Sequence, residues 1–520
     1  MPAMNLLAEL QRLTTDPTLA AGVRDMLARF GEEHAKQSRQ LQALALKNQK
    51  LSLELAQLKR LRFGIKSEAL TAEQRTLFED DTDQDLAAVT AELEAATPAS
   101  GESSRPPRAK AGRQPLPAHL ERVEVRHEPE SCTCGRCQGA LVKIGEDVSE
   151  QLDIEPARFF VIRHIRPQYA CRACQTVQAA PVAAAVIDGG LASPGLLAWV
   201  AGSKYLDHLP LYRIEQIAQR QQVPLARSTL SEWIGRLGVA LQPLTDRLAD
   251  KLRERNSLHA DETPVQQLDP GKGKTKRAYL WAYRSNDLEG GPPIAVFDYQ
   301  AGRGGQHARD FLAEWRGHLM VDDYSGYKAM FGNGIVEQAC LAHARRKFFE
   351  LVAAGGHPVA AEALTRIGRL YAVEEEARGL SVAERARLRE ARSRPELEAL
   401  HQWLLSLQPG IAPGSGLGKA IQYTLRRWPA LIRYAQGGDL PIDNNPVENA
   451  IRPIALGKKN WLFAGSERAG RRAAAIQSLL ATAKLNGLEP LGWLKDTLEK
   501  LPTWPNSRID ELLPLREMPA

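Results

Sequence analysis

A chain of 520 residues is too long for one hydrophobic core and is expected to divide into three or more domains. With 43% hydrophobic and 25% charged residues it has the composition of a globular protein, neither disordered nor fibrous. A net charge of +6 is too small to mark a nucleic-acid-binding protein by its sum, so the distribution of basic residues has to carry that question.

Residues 1–10 lack a charged region followed by an apolar core, so no secretory leader is expected. The most apolar stretch, 177–202, is broken by Asp188, Gly189, Gly190 and Pro194, whereas a spanning helix needs roughly 20 uninterrupted apolar residues. A cytoplasmic chain with no membrane partner is expected.

Residues 1–75 predict a helical, coiled-coil-like dimerisation region. Leu27, Phe30, Leu41, Leu44, Leu51, Leu55 and Leu58 recur at alternating steps of three and four. Asn48 falls at an a position, where a lone Asn fixes register and favours two strands. His34 and Gln37 interrupt the earlier part of this seam, and an amphipathic helix packed within its own domain is the alternative. Residues 76–117 then pass from an acidic run (Glu79, Asp80, Asp81, Asp83) to a Gly/Ser/Pro-rich stretch bearing Arg105, Arg108, Lys110 and Arg113. Such a segment buries too little apolar area to offset its ordering entropy and reads as a flexible linker, its basic half either solvated or laid along DNA phosphates.

The next unit, 118–180, contains Cys134-x-x-Cys137 and Cys171-x-x-Cys174 around β-rich sequence such as Phe159-Phe160-Val161-Ile162. Two such pairs supply four thiolates with the spacing of a tetrahedral zinc ribbon, a structural staple with each pair on a knuckle at a hairpin end. Cys132 is an alternative to Cys134, and Cys340 stands apart from the cluster. In 181–250, helices at 211–220 and 228–237 flank the joint 221–227, the form of a helix-turn-helix. Its second helix would present Arg227, Ser228, Thr229 and Ser231 to DNA; an ordinary helical hairpin is the alternative reading.

From 251 to 476 the pattern becomes α/β. Strands are expected at 258–261, with Pro264 limiting its run, then at 278–283 and 294–299. A helix at 308–315, a strand at 319–322 and a strand at 338–342 follow, the last running into the basic helix His343-Ala344-Arg345-Arg346-Lys347. A helical insertion at about 351–437, rich in Ala, Arg, Glu and Leu, precedes Asp443-Asn444-Asn445-Pro446-Val447-Glu448-Asn449, and 477–520 form a helical tail. The fold expected is therefore multidomain α/β, with a ribonuclease-H-like core that carries a helical insertion and follows the coiled-coil, zinc-ribbon-like and helix-turn-helix-like units. In that arrangement the first and fourth strands are neighbours, so Asp261 and Asp322 meet, and Glu448 joins them from a later helix.

Three such carboxylates suit the breaking of a phosphodiester. Two Mg²⁺ ions about 4 Å apart, with Mn²⁺ as a substitute, activate the attacking oxygen and stabilise the leaving one, and hard carboxylate oxygens hold them. Each acid also has a plainer role available. Glu262 and Asp323 follow Asp261 and Asp322 directly, and either neighbour is a further candidate ligand, whereas Glu448 sits where a capping-box acid would.

Several long motifs carry a resemblance to a known family. His259-Ala260-Asp261-Glu262-Thr263-Pro264-Val265, Val321-Asp322-Asp323-Tyr324-Ser325-Gly326-Tyr327, Cys340-Leu341-Ala342-His343-Ala344-Arg345-Arg346 and the Asp443–Pro453 run resemble the transposase of the insertion-sequence-sixty-six family. Gly457-Lys458-Lys459-Asn460-Trp461-Leu462-Phe463-Ala464-Gly465-Ser466, Leu58–Gly64 and Gly145-Glu146-Asp147 are similar to it too, in the same order along nearly the whole chain. The resemblance implies a DDE transposase with Asp261, Asp322 and Glu448 as its metal-binding triad. It further implies bacterial origin, double-stranded DNA partners (inverted-repeat ends and target) and accessory proteins of the same element. The family usually has Gly where this chain has Asp323.

Beyond the triad, Arg452, Lys458, Lys459, Arg468, Arg471 and Arg472 against the single acid Glu467 suit phosphate contact, as do His343, Arg345 and Arg346. Trp461 among them either stacks on an unpaired base or belongs to the core. A homodimer or larger assembly is expected. A zinc-containing DNA-binding regulator that never cuts shares every feature except the need for three converging acids, and a nuclease on the same fold would cut without joining.

Overall fold

The computed structural model describes residues 116–516, except 129–130, 135, 156–157, 270–273 and 356, together with helical residues between 26 and 54 and at 88–92. It divides into two compact units, Met1–Glu68 with Asp85–Arg113 and Ala69–Gln84 with Gln114–Ala520. In the first unit Met26, Phe30, Leu41, Leu44 and Leu51 lie on helix with 53–71% of their surface in solvent. Leu27, Leu55 and Leu58 of the heptad seam fall outside the described residues, as do Arg105, Arg108, Lys110 and Arg113 of the linker.

The second unit opens with a sheet of order β1-β3-β2, from β1 (Arg122–Arg126), β2 (Leu141–Glu155) and β3 (Arg158–Cys171), with β4 (Val177–Ala179) against β3. β2 and β3 form a long antiparallel hairpin in which Leu141 faces Cys171 and Leu152 faces Val161. The cysteines sit at one end. The other half contributes Leu152, Phe159 and Val161 to an apolar core shared with α1 (Pro194–Tyr205). Ser193 caps α1 by accepting from the Leu196 N–H at 3.3 Å.

α2 (Leu211–Arg220) matches its predicted span, but the following helix does not stop at 237: α3 runs Arg227–Arg253. Its apolar stripe, from Leu230 and Ile234 through Leu241 and Leu248 to Leu252, stays buried along the whole length, and that burial overrides the internal Pro243.

The central sheet has the order β7-β6-β5-β8-β9. β5 (Ser257–Asp269), β6 (Lys274–Ser285) and β7 (Ala295–Gln300) are antiparallel, whereas β8 (Gly317–Val321) and β9 (Ile335–Ala339) run parallel to β5. Pro264 does not end β5. The strand pairs with β8 only over residues 257–259, so at Pro264 that edge makes no demand on an N–H, while pairing with β6 continues from Pro264↔Tyr279 to Asp269↔Lys274. α4 covers Gly305–Leu312, three residues earlier than its apolar spacing predicts, and β9 likewise precedes its predicted span. The outer edge, β7, is covered by α12 (Glu467–Leu485), whose Ser478 and Thr482 hydroxyls accept from the Phe297 and Ala295 N–H groups at 2.8 and 3.1 Å. Edge donors are thereby satisfied without a further strand. The domain boundary expected at 476 falls inside α12.

Between β9 and α11 (Asn445–Trp461) the chain makes α5 (Leu341–Ala353), α6 (Pro358–Glu376), α7 (Val382–Leu388), α8 (Arg394–Leu407), α9 (Gly416–Arg426) and α10 (Trp428–Leu431). These helices bury their own core of Phe348, Ile367, Leu400, Ile421 and Tyr434. The fully buried Arg389 ties this unit to the chain leading into α11, donating to Glu374 and to the carbonyls of Tyr434, Gly437 and Leu440. α13 (Pro490–Lys500) packs back on α1, closing the core.

Candidate metal centres and nucleic-acid surface

β5 pairs in parallel with β8 only over Ser257–His259, and an aspartate follows soon after on each chain segment, Asp261 within β5 and Asp322 directly after β8. Asp261 lies just beyond the paired segment, and its Oδ1 accepts the Glu262 N–H at 2.8 Å. Asp322 follows β8 in a turn where its Oδ1 accepts the Tyr324 N–H at 2.8 Å. Glu448 projects from the first turn of α11. The Asp261 carboxyl is pushed up to about 8, first by burial and then by the charge of Glu262, with smaller contributions from Asp322 and Glu448. Asp261 therefore feels the charge of both other acids.

The neighbouring acids are held elsewhere. Glu262, with 1% of its side chain exposed, accepts from Arg303 at 2.7 Å and from the Tyr327 hydroxyl at 2.9 Å. Asp323 pairs with Arg426 and with Lys328 at 3.1 Å. Alternation along β5 accounts for the first case, and the turn after Asp322 for the second.

Glu448 does not close a capping box: Asn444 caps α11 without a side-chain bond to its first turn. Asn444 serves the site in another way. It donates to the Ala260 carbonyl at 3.0 Å, accepts at Oδ1 from His259 Nδ1 at 2.9 Å, and gives its main-chain N–H to Cys340 Sγ at 3.2 Å. Complete burial holds the His259 imidazole down at about 4, so it is neutral and can donate from Nδ1. One residue thus ties β5, the end of β9 and the start of α11 together around the acids. Glu448 Oε1 is buried without a hydrogen-bond partner and faces the equally unpartnered His343 Nδ1 at 3.8 Å. The donor atoms of Cys340, His343 and Glu448 all lie within 4.8 Å of one another. The spacing Cys340-x-x-His343 at the start of a helix was the available signal for this group, overlooked when Cys340 is set apart from the other cysteines.

The four other cysteines converge as well. Cys134 and Cys174 sulfurs are 3.3 Å apart, Cys137 and Cys171 3.4 Å, and Cys137 and Cys174 3.6 Å, near the edge of about 3.7 Å that a tetrahedron with 2.3 Å zinc–sulfur bonds requires. Cys132 is exposed and outside the cluster, which leaves Cys134 in the first pair. Each knuckle turns through a left-handed residue, Gln138 at φ 58° and Gln175 at φ 54°. The Cys174 thiol is drawn down to about 6, chiefly by the Thr176 hydroxyl and then its N–H, which favours the ligating thiolate.

The basic residues separate into exposed and engaged groups. Arg345, Arg346, Arg452 and Lys459 are exposed, Arg346 lying 4.0 Å from Glu448. Lys458 instead ties α11 to β5 by donating to the Pro264 carbonyl at 2.9 Å, and Arg472 is buried against Gly238 of α3. Arg227 is paired with Glu215 at 3.1 Å, Ser228 is exposed, Thr229 is half-buried and Ser231 is buried. Trp461 is half-buried, packed beside Val447, Ile451 and Ile454, and lines a small apolar recess with Tyr205 and Tyr299. Among the described residues no helix is long and apolar enough to cross a membrane.

The parts of this chain match known sequence families in order. Residues 131–175 match the zinc-finger binding domain of transposase IS66, and 478–515 match the IS66 C-terminal element. Residues 50–125 match the family described as transposase C of IS166 homeodomain. The uncharacterized protein y4jD of Sinorhizobium fredii is 38% identical over 484 residues, covering 89% of this chain and 94% of that one. The uncharacterized protein y4qI of the same organism is 38% identical over 474 residues, 88% of this chain and 87% of its own length. Residues 189–472, which hold Asp261, Asp322 and Glu448, match the transposase IS66 family over more than half of the chain, and the protein belongs to that family.

Proposed function

We propose that the protein binds the ends of an insertion sequence and carries out divalent-metal-dependent cleavage and joining of DNA strands at Asp261, Asp322 and Glu448. The observation that carries this reading is a half-buried Asp261 whose carboxyl feels the charge of both other acids, together with a Glu448 oxygen that is buried and unpartnered. An all-carboxylate donor set suits Mg²⁺ or Mn²⁺, and Asp261, Asp322 and Glu448 would hold two such ions. When bound, they supply activation of an attacking water or 3′ hydroxyl and stabilisation of the leaving oxygen. The chain's own part is positional: Asn444 locks the strands and helix that carry the acids, while Arg303 and Tyr327 keep Glu262 turned aside. The sheet order β7-β6-β5-β8-β9, antiparallel on one side of β5 and parallel on the other, supports a ribonuclease-H-like core.

The cysteine cluster supports one structural zinc held by Cys134, Cys137, Cys171 and Cys174. Exposed Arg345, Arg346, Arg452 and Lys459, with His343, are assigned to phosphate contact, and Ser228 and Thr229 at the start of α3 to DNA. Lys458, Arg227 and Trp461 serve the same surface only by releasing their present partners. A second copy of the chain covers the exposed amino-terminal leucines. Accessory proteins of the element would act with this complex.

The test is strand transfer with Mg²⁺ on a labelled element end. Asp261→Asn, Asp322→Asn and Glu448→Gln should each lose about 10³-fold or more, several kcal/mol of barrier. Metal-dependent nicking that persists undiminished in these variants would refute the assignment, and cleavage without any joined product would make the protein a nuclease.

A further inference from the structure

Between the end of β8 and the insertion lies a hollow of about 480 Å³ whose charge does not balance. Arg426, Arg427, Arg433 and Lys328 line it against only two carboxylates, Asp323 and Glu337, an excess of two positive charges. The acids are already shared: Asp323 by Arg426 and Lys328, Glu337 by Lys328 at 2.7 Å and Arg427 at 2.8 Å. Arg433 donates to the main-chain carbonyl of Glu337, which offers it no charge. Arg427 has 3% of its side chain exposed, yet its Nε finds no hydrogen-bond partner, Asp323 Oδ1 lying 3.7 Å away. A buried guanidinium donor left open is costly unless an acceptor arrives, and several fixed donors with surplus positive charge suit a multi-oxygen anion. The volume falls in the range of ligand sites, ample for a phosphate with its attached sugar.

Position identifies the anion. Asp323 directly follows Asp322, so the hollow adjoins the acids on the side of the insertion. We propose that it binds backbone phosphates of the DNA strand engaged at Asp261, Asp322 and Glu448, which makes the helical insertion part of the nucleic-acid surface. This rests on the transposase reading for its ligand. Asp323 and Glu337 hold the cations in place until phosphate competes for them.

The experiment measures binding of a short labelled duplex to the full-length chain without divalent ions, across a salt series. Arg426→Gln with Arg433→Gln should weaken binding about tenfold at a fixed salt concentration and lower the salt slope by about one to two. Arg378→Gln with Arg394→Gln, which removes two ion-paired surface arginines of the same insertion, should change binding less than twofold. Asp323→Asn should tighten binding about threefold, and Glu375→Gln, an exposed acid of the insertion, should not; this pair still decides if the double variant fails to fold. Equal affinity and slope in the wild type and the folded double variant would overturn the proposal, as would an unchanged Asp323→Asn. Titration with inorganic phosphate separates the sources. Phosphate bound by the wild type and lost in the double variant, with duplex affinity unchanged, would make this a small-anion site and overturn the DNA assignment. Duplex binding that depends on these arginines in a chain that never joins strands would leave the site standing and remove the transposase reading.

Discussion

At the scale of single residues, Asp261 and Asp322 stand out in the sequence because each ends a short apolar run, and Glu448 because it follows Pro446 at the start of a helix. Their meeting was expected from the ribonuclease-H-like strand order, but the short parallel pairing of β5 with β8 over three residues was not legible. Asn444 was missed for a related reason: its three partners, Ala260, His259 and Cys340, are remote in sequence. Removing its side chain leaves the His259 Nδ1 and the Ala260 carbonyl unpaired in a dry interior. Asn444→Ala should cost about 2–4 kcal/mol in urea unfolding and depress cleavage even where the protein stays folded; an unfolding midpoint equal to wild type would remove its stapling role. A pH effect belongs to His208, whose imidazole is buried with both nitrogens unpartnered against Gly457 of α11. Burial lowers its pKa below the usual 6.5. The unfolded chain therefore takes up a proton that the folded chain refuses, and stability falls as pH drops through 6.5 and below. His208→Asn, which tolerates the left-handed φ of 57° and does not titrate, should flatten that fall in melting temperature between pH 7 and 5. An unchanged slope would assign the acid sensitivity elsewhere.

At the scale of elements, apolar periodicity located most helices and strands, and errors arose where a long-range partner decided the boundary. α3 continues past 237 because α12 and the sheet cover its stripe, and β5 continues past Pro264 because its second neighbour has already left. The zinc hairpin was the most legible element, since four soft ligands at fixed spacing admit few other structures. Its knuckles have little apolar support of their own, only Leu141 with Tyr169 beside the cysteines. On the zinc reading proposed above, metal would supply most of their order. Purified protein should contain one zinc per chain, and chelation should expose backbone amides at 131–142 and 168–178 to hydrogen exchange while those of β5 and β6 stay protected. Unchanged exchange in the knuckles after complete zinc removal would contradict a structural role for the metal.

At the scale of the whole molecule, Phe30, Leu41, Leu44 and Leu51 are exposed, and on the proposed dimer reading a second copy would bury them. Sedimentation should give at least a dimer, and Leu44→Asp with Leu51→Asp should reduce it to monomer while the melting temperature of the remainder holds. A wild type that is monomeric at micromolar concentration would exclude this interface. The helical insertion was visible in the sequence as a composition, but its joining to the site through Arg426 and Asp323 was not, because an ion pair between residues so far apart leaves no local pattern.

If Asp261, Asp322 and Glu448 grip divalent ions together, Fe²⁺ substituted for Mg²⁺ will report all three at once. With ascorbate and peroxide, bound iron should cut the polypeptide near residues 261, 322 and 448, in competition with Mg²⁺, and Asp261→Asn should suppress cutting at all three places at once. Cuts confined to one of these places, or cutting indifferent to Asp261→Asn, would contradict a shared metal centre.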